Sequence, residues 1–371
     1  MKLHIAVLPG DGIGPEVIKQ ALKALRAVAE RFDHVFIFKE APIGATAIQS
    51  YQNPLPEHTL DICRNSDAIL LGTIGHPDYE TDPDIASRPE DGLLRLRKEL
   101  NLYANVRPVK AYEALFDKAP LRKRIIRNTD VLIYRELTGG IYYGAHTRDE
   151  SQKKASDLCE YTSEEIERIA HRAFRMARQR KNKVTLIDKA NVLETSRLWR
   201  RTVSALAPQY PEVFLNYMYV DTAAMQLVVN PTQFDVILTE NLFGDIISDE
   251  ASAISGSIGM LASASVGEKY SVFEPVHNSY PKATGLNIAN PIAAILSAAL
   301  LLEHLELLDE AEAIREAVDK TLTLQLTTPD LNPKKPFTTE KVGDFISDYI
   351  VDPHDENINY YNIYMGQSTI I

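Results

Sequence analysis

The sequence predicts an α/β protein with a mixed, mostly parallel sheet flanked by helices, and three observations carry that expectation. Short apolar runs at 5–8, 68–71, 131–134, 184–187 and 236–238 are too brief for helices and fit buried strands. Each ends in a loop rich in polar residues or glycine, and helical patterns alternate with the runs. The 371 residues, 45 % apolar and 25 % charged, have an ordinary globular balance and enough length for two domains. In such sheets ligands gather beyond the carboxyl ends of strands.

Taken in order, the run 5–8 leads into Pro9-Gly10-Asp11-Gly12-Ile13-Gly14-Pro15 and an amphipathic helix at about 16–29. The run 68–71 opens into Gly72-Thr73-Ile74-Gly75, with a helix expected at 89–100. The run 131–134 meets Arg135-Glu136, 184–187 meets Asp188-Lys189, and 236–238 meets Thr239-Glu240-Asn241. Further helices are expected at 163–181, 193–207, 245–257, 291–302 and 310–321. The apolar stretch 292–302 falls far short of the ~20 residues that span a bilayer, so it predicts a buried helix and no membrane association. The segment 136–161, with its aromatics, paired glycines and polar stretch, predicts a hairpin or arm leaving the main body.

Composition narrows the partners. Forty basic against 51 acidic residues give a net charge of −11, which argues against nucleic acid. The densest basic run, 172–183, fits the end of a helix, where cations complement the dipole. Cys63 and Cys159 make no disulfide framework or zinc motif. The first residues, MKLHIAVLPGDG, do not form a signal peptide, so a cytoplasmic protein is expected.

Several residue sets can carry chemistry. The loop 10–15 (GDGIGP) departs from the dinucleotide fingerprint: Pro15 replaces the third glycine, and no acid is well placed about 20 residues on. A Rossmann fold is therefore not expected, and the loop is either a ligand-approaching turn or a plain one. Asp245 and Asp249 are four apart and share a helix face, as a hard cation such as Mg²⁺ or Mn²⁺ would need; helix-start acids are the plainer alternative. Asp221 and Lys189 each follow an apolar run, and a lysine facing carboxylates and metal is a candidate proton handler. Arg97, Arg107 and Arg135, if they converge, imply a di- or tricarboxylate, although spacing alone does not bring them together. Tyr142, among Gly139, Gly140 and Gly144, is a candidate acid or a packed hairpin residue. The loops at 274–277 and 285–291 either hold a cofactor or cap the helix that follows.

Together these segments resemble the isocitrate/isopropylmalate dehydrogenase family of β-decarboxylating dehydrogenases. The resemblance rests on LPGDGIGPE (8–16), GLLRLRKELNLYANVRP (92–108), YRELTGGIYYG (134–144), DKANVLE (188–194), YVDTAAM (219–225), ENLFGDIISDEAS (240–252), and EPVHNS with GLNIANP (274–279, 285–291). It implies two α/β domains, with the active site in the cleft between them. The first, cofactor-binding, comprises 1–102 and 256–371; the second, 103–255, dimerises and carries an arm at about 136–161. The implied reaction is NAD-dependent oxidative decarboxylation of (2R,3S)-3-isopropylmalate to 2-oxoisocaproate, in leucine biosynthesis. D-malate, tartrate, homoisocitrate and isocitrate are the rival substrates, and a non-catalytic regulatory subunit is a remoter alternative.

The resemblance also implies roles. Arg97, Arg107 and Arg135 bind substrate carboxylates, and Leu93, Leu94 and Val192 make an apolar wall for an isopropyl group. Asp221, Asp245 and Asp249 hold Mg²⁺ or Mn²⁺, with Asp221 also touching substrate. Lys189 takes the hydroxyl proton, and Tyr142 protonates carbon after CO₂ leaves. Lys189, Asp221 and Val192 serve the partner subunit's site in a homodimer. Ile13, Glu274, His277, Lys282, Gly285 and Asn290 bind NAD. One departure stands out: Lys282 occupies the position of the family's ribose-binding Asp and can pair with a 2′-phosphate instead, but Ala283 follows it where NADP-dependent relatives carry Tyr, so NAD stays the expected cofactor. Asn278 replaces a glycine and is expected to adjust the backbone there, with a positive φ that Asn tolerates.

Overall fold

The computed structural model describes residues 1–79, 85, 87–149, 151 and 153–354. The stretch 355–371 of the expected first domain lies outside them. The chain runs β1 (Lys2–Gly10), α1 (Gly14–Arg31), β2 (Val35–Glu40), α2 (Ala45–Tyr51), α3 (Glu57–Arg64), β3 (Ala68–Thr73), α4 (Pro89–Glu99), β4 (Ala104–Lys110) and α5 (Lys123–Ile126). It continues through β5 (Asp130–Glu136), β6 (His146–Arg148), β7 (Ala155–Asp157), α6 (Ser163–Arg178), β8 (Lys183–Asp188), α7 (Glu194–Leu206), β9 (Phe214–Tyr219) and α8 (Val220–Val229). The last elements are β10 (Val236–Thr239), α9 (Asn241–Ser255), β11 (Ala262–Val266), β12 (Ser271–Pro275), α10 (Ile292–His304), α11 (Leu308–Thr323) and α12 (Thr339–Val351).

Ten strands form one sheet in the order β2-β1-β3-β12-β11-β4-β5-β10-β8-β9, and β6 pairs with β7 as a separate exposed hairpin. The sheet has two parallel wings, β2-β1-β3-β12 and β5-β10-β8-β9. Antiparallel ladders through β11 and β4 join them. This is the mixed, mostly parallel α/β sheet that the sequence predicts. Strands from the two ends of the chain build one wing, and strands from its middle build the other.

Three layers follow from the apolar faces. One face of the sheet packs against α1, α6, α7, α10, α11 and α12. The opposite face is covered by α3 and α4 on the first wing, and by α8 and α9 on the second. Helix α10 is apolar nearly all round, and ten of its residues are buried, as befits a central helix. Helix α6 begins with a capping box: the Glu165 N–H donates to Thr162 Oγ1 at 3.2 Å, and the Thr162 N–H donates to Glu165 Oε2 at 2.8 Å. Among the described residues, no helix is long and apolar enough to cross a membrane, and both cysteines are free.

Two local expectations need correction. Helix α9 starts at Asn241, not at 245, so Asp245 sits in its second turn and gains less from the helix dipole than a first-turn acid. The strand before Asp221 ends at Tyr219 and α8 opens at Val220, so Asp221 lies in the first turn of a helix and not at a strand end. The segment 220–229 mixes apolar residues with Asp221, Thr222 and Gln226 without a clean period, and it packs against α9 as a helix.

Candidate active site

The site lies on the face of the antiparallel strands as well as at strand ends. Period-two alternation along β4, β5, β11 and β12 turns Asn105, Arg107, Arg135, Ser263, Ser265 and Glu274 to one face. Ala262, Ala264, Phe273 and Tyr134 turn to the opposite face and join the main core. The polar face floors a cavity of about 1200 Å³, and α9, α4 and the loops 72–75 and 274–281 supply walls. That volume accommodates a dinucleotide together with a small acid.

Two guanidiniums dominate the floor. Arg135, 3 % exposed, donates from Nε to the Asn241 carbonyl at 2.9 Å and from Nη2 to Asn241 Oδ1 at 2.8 Å; its Nη1 pairs with Asp245. Arg107, 6 % exposed, donates from Nε to Asn105 Oδ1 at 2.7 Å and from Nη1 to Asp249 Oδ1 at 3.1 Å. Its Nη2 stands 3.5 Å from Asp245 Oδ1. Burial lowers the pKa of both arginines, Arg135 to about 10; the Arg107 charge also lowers Arg135, and the Arg97 charge lowers both. Burial alone would push the Asp245 carboxyl up, but the Arg135 and Arg107 guanidiniums outweigh it and hold Asp245 below the usual range. Asp249 is raised, because burial exceeds the help it receives from Arg107.

Tyr142 sits in a short 3-10 turn (Gly140–Tyr142) and donates its Oη proton to Asp245 Oδ2 at 2.9 Å. Burial and the Asp245 charge push the phenol up to about 12, so it stays protonated at neutral pH. Arg97, on α4, pairs with Glu274 at 3.0 Å, and Ser265 Oγ also donates to Glu274. Leu93 and Leu94 line the same wall.

The glycine loop 10–14 is built into this cavity. Gly10 and Gly12 adopt positive φ, and a Cβ on Gly12 would run into the Ser279 carbonyl. The Asp11 N–H donates to the Thr73 carbonyl at 2.7 Å, and the Ile13 N–H to the Ser279 carbonyl at 2.8 Å. The Asp11 carboxylate accepts the N–H groups of Ala45, Thr46 and Gly75. The loop thus locks two cavity walls together while Ile13 faces the space between them. Near the same mouth the positive φ falls on Tyr280, at 39°, and not on Asn278 as the sequence suggested.

Twelve of the predicted residues therefore share one cavity: Ile13, Leu93, Leu94, Arg97, Arg107, Arg135, Tyr142, Asp245, Asp249, Glu274, His277 and Asn290. Five do not line it. Lys282 and Gly285 are exposed beside its mouth. Lys189 and Asp221 pair with each other, and that hydrogen bond keeps the Asp221 carboxyl below its usual value. Val192 is 61 % exposed. Sequence reasoning missed Asn105, Ser248, Ser263 and Ser265, which orient the arginines and Glu274. The alternating Ser263-Ala264-Ser265 was the available signal.

Two polar atoms of the cavity residues, Arg97 Nε and His277 Nε2, are buried without a hydrogen-bond partner. Such atoms suit a bound polar ligand, which would satisfy them. Asp245 and Asp249 offer hard oxygen donors on one helix face, and among the described residues no third His, Cys, Asp or Glu joins them within the chain. A divalent cation here would therefore need oxygens from a substrate or a second chain.

Comparison with known proteins agrees with this geometry. The isocitrate/isopropylmalate dehydrogenase family matches residues 4–346. The 3-isopropylmalate dehydrogenase of Bacteroides fragilis (strain YCH46) is 48 % identical over 94 % of this chain and 99 % of its own. That of Bacillus subtilis is 51 % identical over 91 % of this chain and 94 % of its own. Among solved structures, an isocitrate dehydrogenase from Methylococcus capsulatus superposes with a TM-score of 0.86 at 33 % identity, covering 94 % of this chain and 100 % of that one. The polar seam and its arginine–aspartate centre thus lie within a match that spans nearly the whole chain, and the chain belongs to the isocitrate/isopropylmalate dehydrogenase family.

Proposed function

We propose that this chain is an oxidoreductase of leucine biosynthesis that converts (2R,3S)-3-isopropylmalate to 2-oxoisocaproate and CO₂ with NAD⁺. The observation that carries the reading is the pair of buried guanidiniums meeting two carboxylates and a protonated phenol beside an apolar wall. Relatives named 3-isopropylmalate dehydrogenase, about half identical over most of the chain, support the substrate.

Arg97, Arg107 and Arg135 bind the two malate carboxylates; Arg97 Nε has no other partner, and Arg107 Nη2 has only a long one. Asp245, Asp249 and the partner subunit's Asp221 are the residues assigned to Mg²⁺ or Mn²⁺, which when bound supplies Lewis acidity towards the C2 hydroxyl. Ile13, Glu274, His277, Asn290, Lys282 and Gly285 are assigned to NAD⁺, the hydride acceptor. The partner subunit's Lys189 takes the hydroxyl proton on its amine, and Tyr142 gives its Oη proton to the carbon that loses CO₂. Leu93, Leu94 and the partner subunit's Val192 face the isopropyl group and would leave an isocitrate carboxylate without partners.

Shared sites require a homodimer, with the division into 1–102 plus 256–371 and 103–255 setting the cleft. The exposed Lys189–Asp221 pair, Val192, and the exposed apolar Met225, Val228, Val229 and Ile246 of α8 and α9 support that reading. We assign the protein to the cytoplasm. The test is the rate of nicotinamide reduction with isopropylmalate, D-malate and isocitrate, each with NAD⁺ and NADP⁺. Fast reduction of NAD⁺ by isopropylmalate alone is the expected result. A preference for another acid would overturn the substrate, and a preference for NADP⁺ would make Lys282 a phosphate reader.

A further inference from the structure

Glu136 ends β5 and is fully buried at 0 % exposure. A buried carboxylate is costly unless ion-paired or well hydrogen-bonded. Among the described residues the cation paired with it, Arg168, stands 3.5 Å away. Its charge is met chiefly by the turn that follows. The Thr138 N–H lies 2.9 Å from each oxygen, Thr138 Oγ1 donates at 2.6 Å, and the Gly139 N–H donates at 2.7 Å. The carboxylate is therefore wrapped by backbone two and three residues downstream, and it specifies how the chain leaves the sheet.

The other side of that turn is fixed by Tyr161. A Cβ on Gly139 would stand 2.7 Å from Tyr161 Cε1, and one on Gly140, where φ is +74°, would meet the Tyr161 hydroxyl. Tyr161 Oη accepts the Asn241 N–H at 3.0 Å, and Asn241 Nδ2 donates to the Gly139 carbonyl at 3.2 Å. The turn is thus held between Glu136 and Tyr161 and tied to the start of α9. Two residues beyond Gly140 comes Tyr142, whose hydroxyl reaches Asp245 in the next turn of that same helix.

We propose that Glu136 is a positioning residue for Tyr142, its carboxylate setting the 138–140 turn that places the phenol against Asp245. The inference rests on the assignment of Tyr142 as the proton donor. Glu136 touches neither Tyr142 nor Asp245 through any hydrogen bond in the structure, and it is not part of the cavity wall. Its effect passes through the turn alone. Placement matters because a misalignment on the order of 1 Å costs about a hundredfold in rate.

The test is a double-mutant cycle of Glu136→Gln with Tyr142→Phe, reading kcat and the KM of both substrates in the full-length protein. Glutamine offers one acceptor oxygen; at the Oε2 position it still accepts both turn N–H groups, but its NH₂ then faces the Thr138 N–H and hydroxyl, so the Thr138 grip on the other oxygen is lost. With Tyr142 present, kcat should fall about tenfold or more while both KM values stay within about twofold. In the Tyr142→Phe background the same change should cost less than about twofold, because the group being positioned is already gone. Equal losses in both backgrounds, or no loss in either, would overturn the proposal and leave Glu136 a stabiliser of the fold. Unchanged activity of Tyr142→Phe alone would instead remove the proton-donor assignment, and the inference with it. If Glu136→Gln does not fold, Thr138→Val runs the same cycle, because it removes one donor to the carboxylate and keeps the charge. The cycle with Thr138→Val is judged by the same two outcomes.

Discussion

Glu240 should be a measurable liability of this fold at neutral pH. It is the residue before α9, 5 % exposed, and its Oε2 is buried without a partner. The parallel pairing of β5 with β10 aligns Arg135 with Thr239, so the next residues, Glu136 and Glu240, are brought side by side. Burial, and then the Glu136 charge, push the Glu240 carboxyl from an ordinary 4.5 to about 7. Below pH 4.5 both folded and unfolded chains hold this proton, and no penalty exists. Between 4.5 and 7 the unfolded chain releases the proton and the folded chain keeps it, so stability falls as pH rises. Above 7 the loss is complete. At about 1.4 kcal/mol per pH unit, that window is worth about 3 kcal/mol. Glu240→Gln removes the titration. For a chain of this length the entropy of unfolding is about 0.8 kcal/mol per kelvin, so the gain is about 4 °C in Tm. The assay is thermal unfolding of both proteins at pH 5 and pH 8. The variant's advantage should grow by about 3 °C between the two conditions, since pH 5 already lies inside the window, whatever fixed offset the amide introduces. An advantage of the same size at both pH values would refute the reasoning and mean that Glu240 has a partner that keeps it ionised.

Three further predictions concern the site. Arg135→Lys keeps the charge but loses the fork that bonds the Asn241 carbonyl, its side-chain oxygen and Asp245, so kcat/KM should fall about a hundredfold; steady-state kinetics check this, and a loss under threefold would make Arg135 a simple counter-charge. Leu93→Glu should depress isopropylmalate turnover by more than about tenfold, because it buries a charge beside the isopropyl group; an unchanged rate would place Leu93 away from the substrate. Lys189→Met and Asp245→Asn should each be inactive, yet an equilibrated equal mixture should regain on the order of a quarter of the activity through hybrid dimers with one intact site. Exchange of subunits without recovery would put Lys189 and Asp245 in the same chain's site.

Much of the site was legible because its residues fall in short, chemically dense blocks. Arg135, Tyr142 and the pair Asp245 and Asp249 each announce themselves locally, by a strand end, a glycine turn or a helical spacing. Convergence was not legible. Arg107 meets Asp249 only because β4 runs antiparallel between β11 and β5, and pairing of that kind leaves no mark on either segment alone. The serines of β11 were overlooked for a similar reason: Ser263 and Ser265 look like ordinary small residues until Asn105 is seen to donate to both. The start of α9 was misplaced because Gly244 followed by Asp245 looks like a helix start, although the helix already begins at Asn241.

The position of the site follows from the same sheet. The inner strands β1, β3 and β10, which pair only in parallel, are covered by helices on both faces, so they are apolar on both sides and offer little room for a charge. The antiparallel seam differs: one face joins the core, and the other is released to alternate polar residues above a cavity. Buried arginines are tolerated there because each has carboxylate or amide partners arranged before any ligand arrives. That arrangement also limits what the site accepts. A ligand must supply acceptors for Arg97 Nε and Arg107 Nη2 without displacing Asp245 from Tyr142, while presenting an apolar group to Leu93 and Leu94. A small dicarboxylate with a branched alkyl substituent satisfies all three demands, whereas a tricarboxylate fails the last.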